Sequence, residues 1–196
     1  MIYLKTGKTD VKRLTFLALM TAIVVVLQLM GSFIRFGQFS VSLVLVPIVI
    51  GVVIAGPAAG AWLGFAFGCA VLLSGDAATF FAISPFGTIV TVLVKGTLAG
   101  LTAGLVFKWL SGCNKTVATF AAAAVCPIVN TGIFLVCCRI FFFEAVSEWA
   151  AGEGKDVVMY MLIFFVGLNF VFELIVNMLL SPVIIRLIDI SKKRVR

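Results

Sequence analysis

The sequence predicts an all-α integral membrane protein, a compact bundle of six transmembrane helices with both termini in the cytoplasm. Three observations predict it. Hydrophobic residues make up 63% of the chain and charged residues only 12%, about half the charge of a soluble domain. The apolar residues gather into six runs, most near the roughly 20 residues that a spanning helix needs. The charges, formally +7 in all, collect at the ends of those runs. With 196 residues and no interdomain linker, one membrane domain over residues 1–196 accounts for the chain.

The first span runs from about Leu14 to Ile34. The basic stretch before it is followed by an apolar run too long for a signal peptide, so it reads as a retained helix. The second runs from Ser40 to Ala55 and stops at Gly56-Pro57, a turn signal. The third covers Ala58–Leu73. The fourth starts at Pro85, suited to a first helical turn, and ends near Leu110. The fifth covers Val117–Phe143 and the sixth Val157–Ile188. The second and third are short enough to allow a partly re-entrant arrangement.

Charge fixes the predicted orientation. Lys5, Lys8, Lys12 and Arg13 precede the first span, and Arg186, Lys192, Lys193, Arg194 and Arg196 close the last. Basic ends of this kind stay in the cytoplasm. An even span count puts Lys108 and Lys115 inside as well. The acidic loop with Glu144, Glu148, Glu153 and Asp156 then falls outside, as does Ser74–Ser84 with Asp76. This second loop pairs turn residues with Phe80 and Phe81, as a small-molecule lid would; an interfacial loop resting its rings on the membrane is the other reading.

Several function classes fall away. The positive charge follows membrane topology, so no nucleic-acid partner is implied. Five cysteines and no histidine lack zinc or disulfide spacing, so no metal or cofactor is expected. An intramembrane enzyme needs a positioned acid, base, nucleophile or metal, and no such set is present.

Two series of small residues concern packing. Gly56, Gly60, Gly64 and Gly68 recur every fourth residue, as do Gly96, Gly100 and Gly104. Glycine at that spacing lets helix backbones approach closely in a membrane. Ala18 and Ala22 form a weaker pair of the same type in the first span.

The functional lead is polar. Lys95, Asn130, Asn169, Glu173 and Asn177 lie deep inside apolar runs, where a charge costs roughly 2.5–3.5 kcal/mol on insertion scales. Counting inward at about 1.5 Å per residue, Lys95 lies roughly 15 Å down the fourth span, and Asn130 and Asn169 roughly 18 Å down theirs. Glu173 lies roughly 24 Å down. Asn169, Glu173 and Asn177 share one helix face. Thr91 and Thr88 lie one and two turns above Lys95. Two uses remain open: ligand contact, favoured for Lys95, Asn130 and Asn169, or an internal Lys95–Glu173 pair braced by the amides. Arg139, near the outer end of the fifth span, steers an anion or, better, snorkels to headgroups.

Three segments together resemble a known family: Leu-Ala-Leu-Met-Thr-Ala-Ile at 17–23, Gly-Val-Val-Ile-Ala-Gly-Pro-Ala-Ala-Gly at 51–60, and Lys-Gly-Thr-Leu-Ala-Gly-Leu-Thr-Ala-Gly-Leu-Val-Phe-Lys at 95–108. In this order, and with this length and span count, the chain is similar to the substrate-binding S component of energy-coupling factor (ECF) transporters. The resemblance implies a multi-pass protein of the cytoplasmic membrane, an ABC-importer subunit that binds a water-soluble vitamin at its outer face. It also implies partners: a transmembrane coupling subunit, contacted through Ala18 and Ala22, and two cytoplasmic ATPases. The chain has no G-x-x-x-x-G-K-[ST] loop of its own, in keeping with that dependence. The candidate substrate-binding set is Lys95, Asn130, Asn169, Thr88, Thr91, Asp76 and Glu173. Lys95 and Arg139 suit a carboxylate, which favours pantothenate slightly over riboflavin, while Trp149 and Tyr160 are placed to close over a ring. A membrane scaffold like the bacterial cell-shape proteins is the alternative, and an autonomous ion-coupled permease a more distant one.

Overall fold

The computed structural model describes residues 8–32, 35–36, 39–40 and 43–193. Helix α1 (Lys8–Gly31) leads to a two-residue hairpin, β1 (Arg35–Phe36) paired antiparallel with β2 (Phe39–Ser40). Helices α2 (Leu45–Ala55), α3 (Pro57–Ser74), α4 (Ala78–Ile83), α5 (Pro85–Leu110), α6 (Lys115–Phe141), α7 (Phe143–Gly152) and α8 (Val157–Tyr160) follow. A π-helical stretch, Met161–Gly167, joins α8 to α9 (Leu168–Lys193).

Among the described residues, four helices are long and apolar enough to cross a membrane: α1 from Val11, α3, α5 and α6. The predicted third and fourth spans therefore stand almost unchanged. The second does not. Its helix starts only at Leu45, and Phe39–Ser40 belong to the hairpin. Eleven residues rise only about 16 Å, roughly half a hydrocarbon core. The fifth span ends at Phe141, because the chain breaks at Phe142 before α7. The first ends at Gly31, and its predicted last residue, Ile34, lies outside the described residues. The sixth is helical from Val157 but passes through the π-helical stretch, and α9 continues to Lys193.

Local chemistry sets these boundaries. Gly56, at φ +87°, turns α2 into α3 where a side chain would be strained, and Pro57 then opens α3. Gly75, at φ +77°, closes α3 in the left-handed region. Ser84 caps α5 by accepting from the Gly87 amide at 3.2 Å, and Asn114 caps α6 by accepting from Thr116 N at 2.9 Å. Both supply acceptors to amides that have no partner within the helix.

Short α2 is the centre of the bundle. Val44, Leu45, Ile48, Val49 and Val52 are fully buried, packed among Val24 of α1, Leu63 and Phe67 of α3, Ala99 and Ala103 of α5, Ala122 and Cys126 of α6 and Ile184 of α9. Helix α3 lies antiparallel along α5 through the two glycine series. A Cβ on Gly64 would fall on the Gly96 carbonyl oxygen, and one on Gly60 on that of Gly100. A Cβ on Gly68 would come within 2.9 Å of the Val92 oxygen. The backbones touch, so each glycine is required by its opposite number.

A second cluster covers the end of the bundle where α3 meets α5 and α6 meets α7. It holds Phe80 of α4, Cys138 of α6, Phe142, Val146 and Ala150 of α7, and Tyr160 of α8. Phe80 is its hub, with T-shaped ring contacts to Phe134 at 5.5 Å, Phe142 at 5.0 Å and Trp149 at 5.8 Å. We call this the capped end.

The packing sets two expectations for purified protein in detergent. Gly64→Val forces α3 and α5 apart and should cost at least the 1–3 kcal/mol typical of overpacking, read as a lower thermal midpoint. Gly132→Ala, where an added Cβ meets nothing within 4 Å, should raise the midpoint slightly, since helical glycine is roughly 0.5–1 kcal/mol worse than alanine.

Candidate functional site

The polar residues read from sequence lie on α5, α6, α9 and in the α3–α4 loop. Thr88, Thr91 and Lys95 follow one another at three- and four-residue spacing on the inner face of α5, with both threonines buried. Each threonine hydroxyl donates back to its own helix, Thr88 to the Ser84 carbonyl at 2.9 Å and Thr91 to the Gly87 carbonyl at 2.6 Å. Their donors are thereby used, while the oxygens keep acceptor capacity. Thr91 and Lys95 are thus held on an unbroken helix whose partner α3 cannot shift without separating the glycines.

Lys95 points between three helices. Its Nζ lies 5.1 Å from the centre of the Phe134 ring on α6 and 5.9 Å from that of Phe67 on α3. Cation–π contact at this range stabilises a desolvated ammonium by up to about 2 kcal/mol. Glu173 of α9 and Asp76 of the α3–α4 loop are acidic groups whose charge reaches Lys95.

Asn130 is one turn from Phe134 on the same face of α6 and is 6% exposed. Its Oδ1 accepts no hydrogen bond among the described residues. An unsatisfied buried acceptor costs roughly 1–3 kcal/mol, so this oxygen keeps acceptor capacity that the described side chains do not use. On α9, Glu173, Asn177 and Ser181 form a buried ladder at four-residue spacing. Asn177 Nδ2 donates to the Glu173 carbonyl at 2.8 Å and Ser181 Oγ to the Asn177 carbonyl at 2.8 Å. Asn177 Oδ1 has no donor among the described residues either. The backbone of Asn169 is helical, and its side chain lies outside the described residues.

Asp76 is partly buried and accepts a hydrogen bond from Nε2 of Gln28 on α1. Gln28 is itself 2% exposed. Sequence reasoning missed Gln28 and Ser181, although each left a signal. Gln28 is a lone amide in the apolar run Val24–Met30, and Ser181 extends the Asn169–Glu173–Asn177 spacing by one step. The aromatic partners Phe67 and Phe134 left none, because phenylalanine is ordinary in any apolar helix.

Other residues fall away from the site. Arg139 is exposed, with its guanidinium carbon 3.8 Å from the centre of the Phe143 ring, in keeping with surface anchoring rather than steering. Trp62 is 52% exposed and donates from Nε1 to Thr21 Oγ1 at 3.1 Å. Phe80 is buried in the cap, whereas Phe81 is 43% exposed, so the two loop phenylalanines divide between the lid and membrane-facing readings. Ala18 and Ala22 are exposed on α1 beside Leu14 (70% exposed) and Leu19 (57% exposed). A shallow groove formed by Val11, Arg13, Leu14 and Leu17 continues that surface.

The fold is that of a multi-pass helical membrane protein, with polar side chains of α5, α6 and α9 buried inside the bundle. The family described as ECF transporter, substrate-specific component, matches residues 12–185, and the chain belongs to it. No curated protein and no solved structure matches the chain.

Substitution separates the two loop phenylalanines. Phe80→Ala removes the hub of three ring contacts and should cost about 3–5 kcal/mol. Phe81→Ala, at an exposed position, should stay within about 0.5 kcal/mol. Thermal unfolding of the two purified variants side by side checks both.

Proposed function

We propose that this S component binds a water-soluble vitamin beneath the capped end, which faces the outside, and passes it inward in a complex with a coupling subunit and two ATPases. The observation that carries this reading is Asn130 Oδ1, a buried acceptor without a donor among the described residues, one helical turn from the Phe134 ring beside Lys95. Thr88, Thr91, Glu173 and Asp76 complete the polar surroundings, and Asn169 is the further candidate on α9. A scaffold has no use for an open acceptor and a lysine at one depth.

The topology that goes with this reading has six membrane segments and both termini in the cytoplasm. The central segment α2 is sheltered by its neighbours, so its short length is no obstacle. Ala18 and Ala22 contact the coupling subunit: both lie on an outward face of α1, where a second helix can approach closely. Of the vitamins, pantothenate fits this set best. Its carboxylate suits Lys95, and its hydroxyl and amide groups supply donors for Asn130. Glu173 works against any anion there, so binding requires the carboxylate to compete for Lys95. Riboflavin remains the comparison ligand.

Native mass spectrometry and thermal shifts of the purified protein across a panel of vitamins test the reading. Stabilisation by pantothenate is the expected outcome, and no shift with it would remove that ligand. Lys95→Ala should abolish the stabilisation while leaving expression near wild type. In cells, Ala18→Trp should leave binding intact and abolish energised uptake; loss of both would count against a docking role for that face.

A further inference from the structure

We propose that Gln28 is a latch through which α1 holds the outer lid, α4, over the site. The inference rests on the S-component reading for its functional meaning, and on hydrogen bonding and burial for its structure.

Helix α1 is the least embedded of the four long apolar helices, with 17% of its most apolar window buried against 33–50% for the other three. It meets the bundle along a narrow seam. Val24 and Gln28 are buried there, and Thr21, one turn below Val24, receives the Trp62 bond. At its start, Arg13 donates from a guanidinium nitrogen to the Ala55 carbonyl at 3.2 Å, at the C-terminus of α2. These two bonds are solvent-exposed. Gln28 is different, because it is nearly inaccessible and its amide nitrogen reaches two acceptors in the segment that begins the lid. It donates to the Asp76 carboxylate and, at 3.5 Å, to Ser74 Oγ. Ser74 Oγ in turn receives the Asp76 amide at 3.4 Å. The turn between α3 and α4 is therefore fixed from a third helix rather than by its own backbone alone.

The fixed turn matters because α4 follows at once. Two residues past Asp76 the helix begins, and Phe80 on its first turn packs edge-on against Phe134, the ring beside Lys95. A buried bond from α1 thus sets the place of the ring that covers the polar site. The same helix presents Ala18 and Ala22 outward, ten and six residues, or roughly 15 and 9 Å, along a rigid rod from Gln28. Tilting α1 at that face would draw Gln28 from Asp76 and loosen α4, while the glycine seam between α3 and α5 stays closed. Gln28 is accordingly a positioning residue, acting on the site through Asp76 and α4.

Hydrogen exchange of the full-length protein in lipid nanodiscs, without added ligand, tests the latch. The reporters are the Phe81 and Ser84 amides, bonded at 2.8 and 3.0 Å to the Ala77 and Phe80 carbonyls. Gln28→Leu should speed their exchange roughly ten-fold, the effect of losing one buried hydrogen bond, with α3 and α5 unchanged. Asp76→Asn keeps an acceptor for the Gln28 amide and should retain protection. Asp76→Ala, which leaves the Ser74 contact, should speed exchange in the same direction and by no more than Gln28→Leu, and the double variant should add nothing to Gln28→Leu. Trp62→Phe, which frees α1 at one of its two exposed bonds, should leave α4 untouched. If Gln28→Leu does not fold, Asp76→Ala carries the same measurement from the lid side. Unchanged exchange in α4, or an equal rise through α3 and α5, overturns the proposal. Since no vitamin is added, this result and that of the ligand panel are free to disagree.

Discussion

The rest of the structure depends on the contact between the backbones of α3 and α5. Lipid offers no hydrophobic drive for helices to associate, so close packing has to supply the attraction. Gly60 against Gly100 and Gly64 against Gly96 keep side chains out of the points where the two backbones touch. Dispersion and weak contacts between the main chains then act at short range. Lys95 directly precedes Gly96, and Phe67 directly precedes Gly68. Closing the seam therefore carries the lysine toward the ring, and the position of the charge follows from glycine packing.

Around this pair the bundle solves a second problem, the burial of polar groups. Some are satisfied within their own helix, as the Thr88 and Thr91 hydroxyls are by carbonyls one turn back. Others are satisfied between elements, as Gln28 is by Asp76. Lys95 takes aromatic faces together with the charge of Glu173. Only the amide oxygens of Asn130 and Asn177 lack a protein donor among the described side chains. The same low dielectric that makes these oxygens costly makes any donor they bind worth more. A transporter subunit is a setting in which that cost has a use.

The aromatic cap gives this arrangement a movable part. Its rings meet edge to face and need no shared backbone, so Phe80 can leave Phe134 without unravelling α5 or α6. Its ring contacts hold it in place, and the polar tie to α1 fixes the turn from which its helix starts. A site that must hold its ligand and later release it gains from a lid fixed by few bonds over a base fixed by many.

Composition, hydropathy and loop charge by themselves determined the membrane class, the boundaries of α3 and α5, and the packing role of the glycines. These properties follow from local spacing and from the cost of backbone and charge in lipid. Lys95, Asn130 and Glu173 were legible as outliers in apolar runs for the same reason. Tertiary structure alone decided that α2 is short because it lies at the centre, wrapped by other helices instead of by lipid. It also decided that Arg139 faces outward while Lys95 faces Phe134, and that Gln28 meets Asp76 across 48 residues. Which partner a side chain finds is a matter of how helices rotate and cross. A one-dimensional pattern gives the face of each helix but not the face set opposite it.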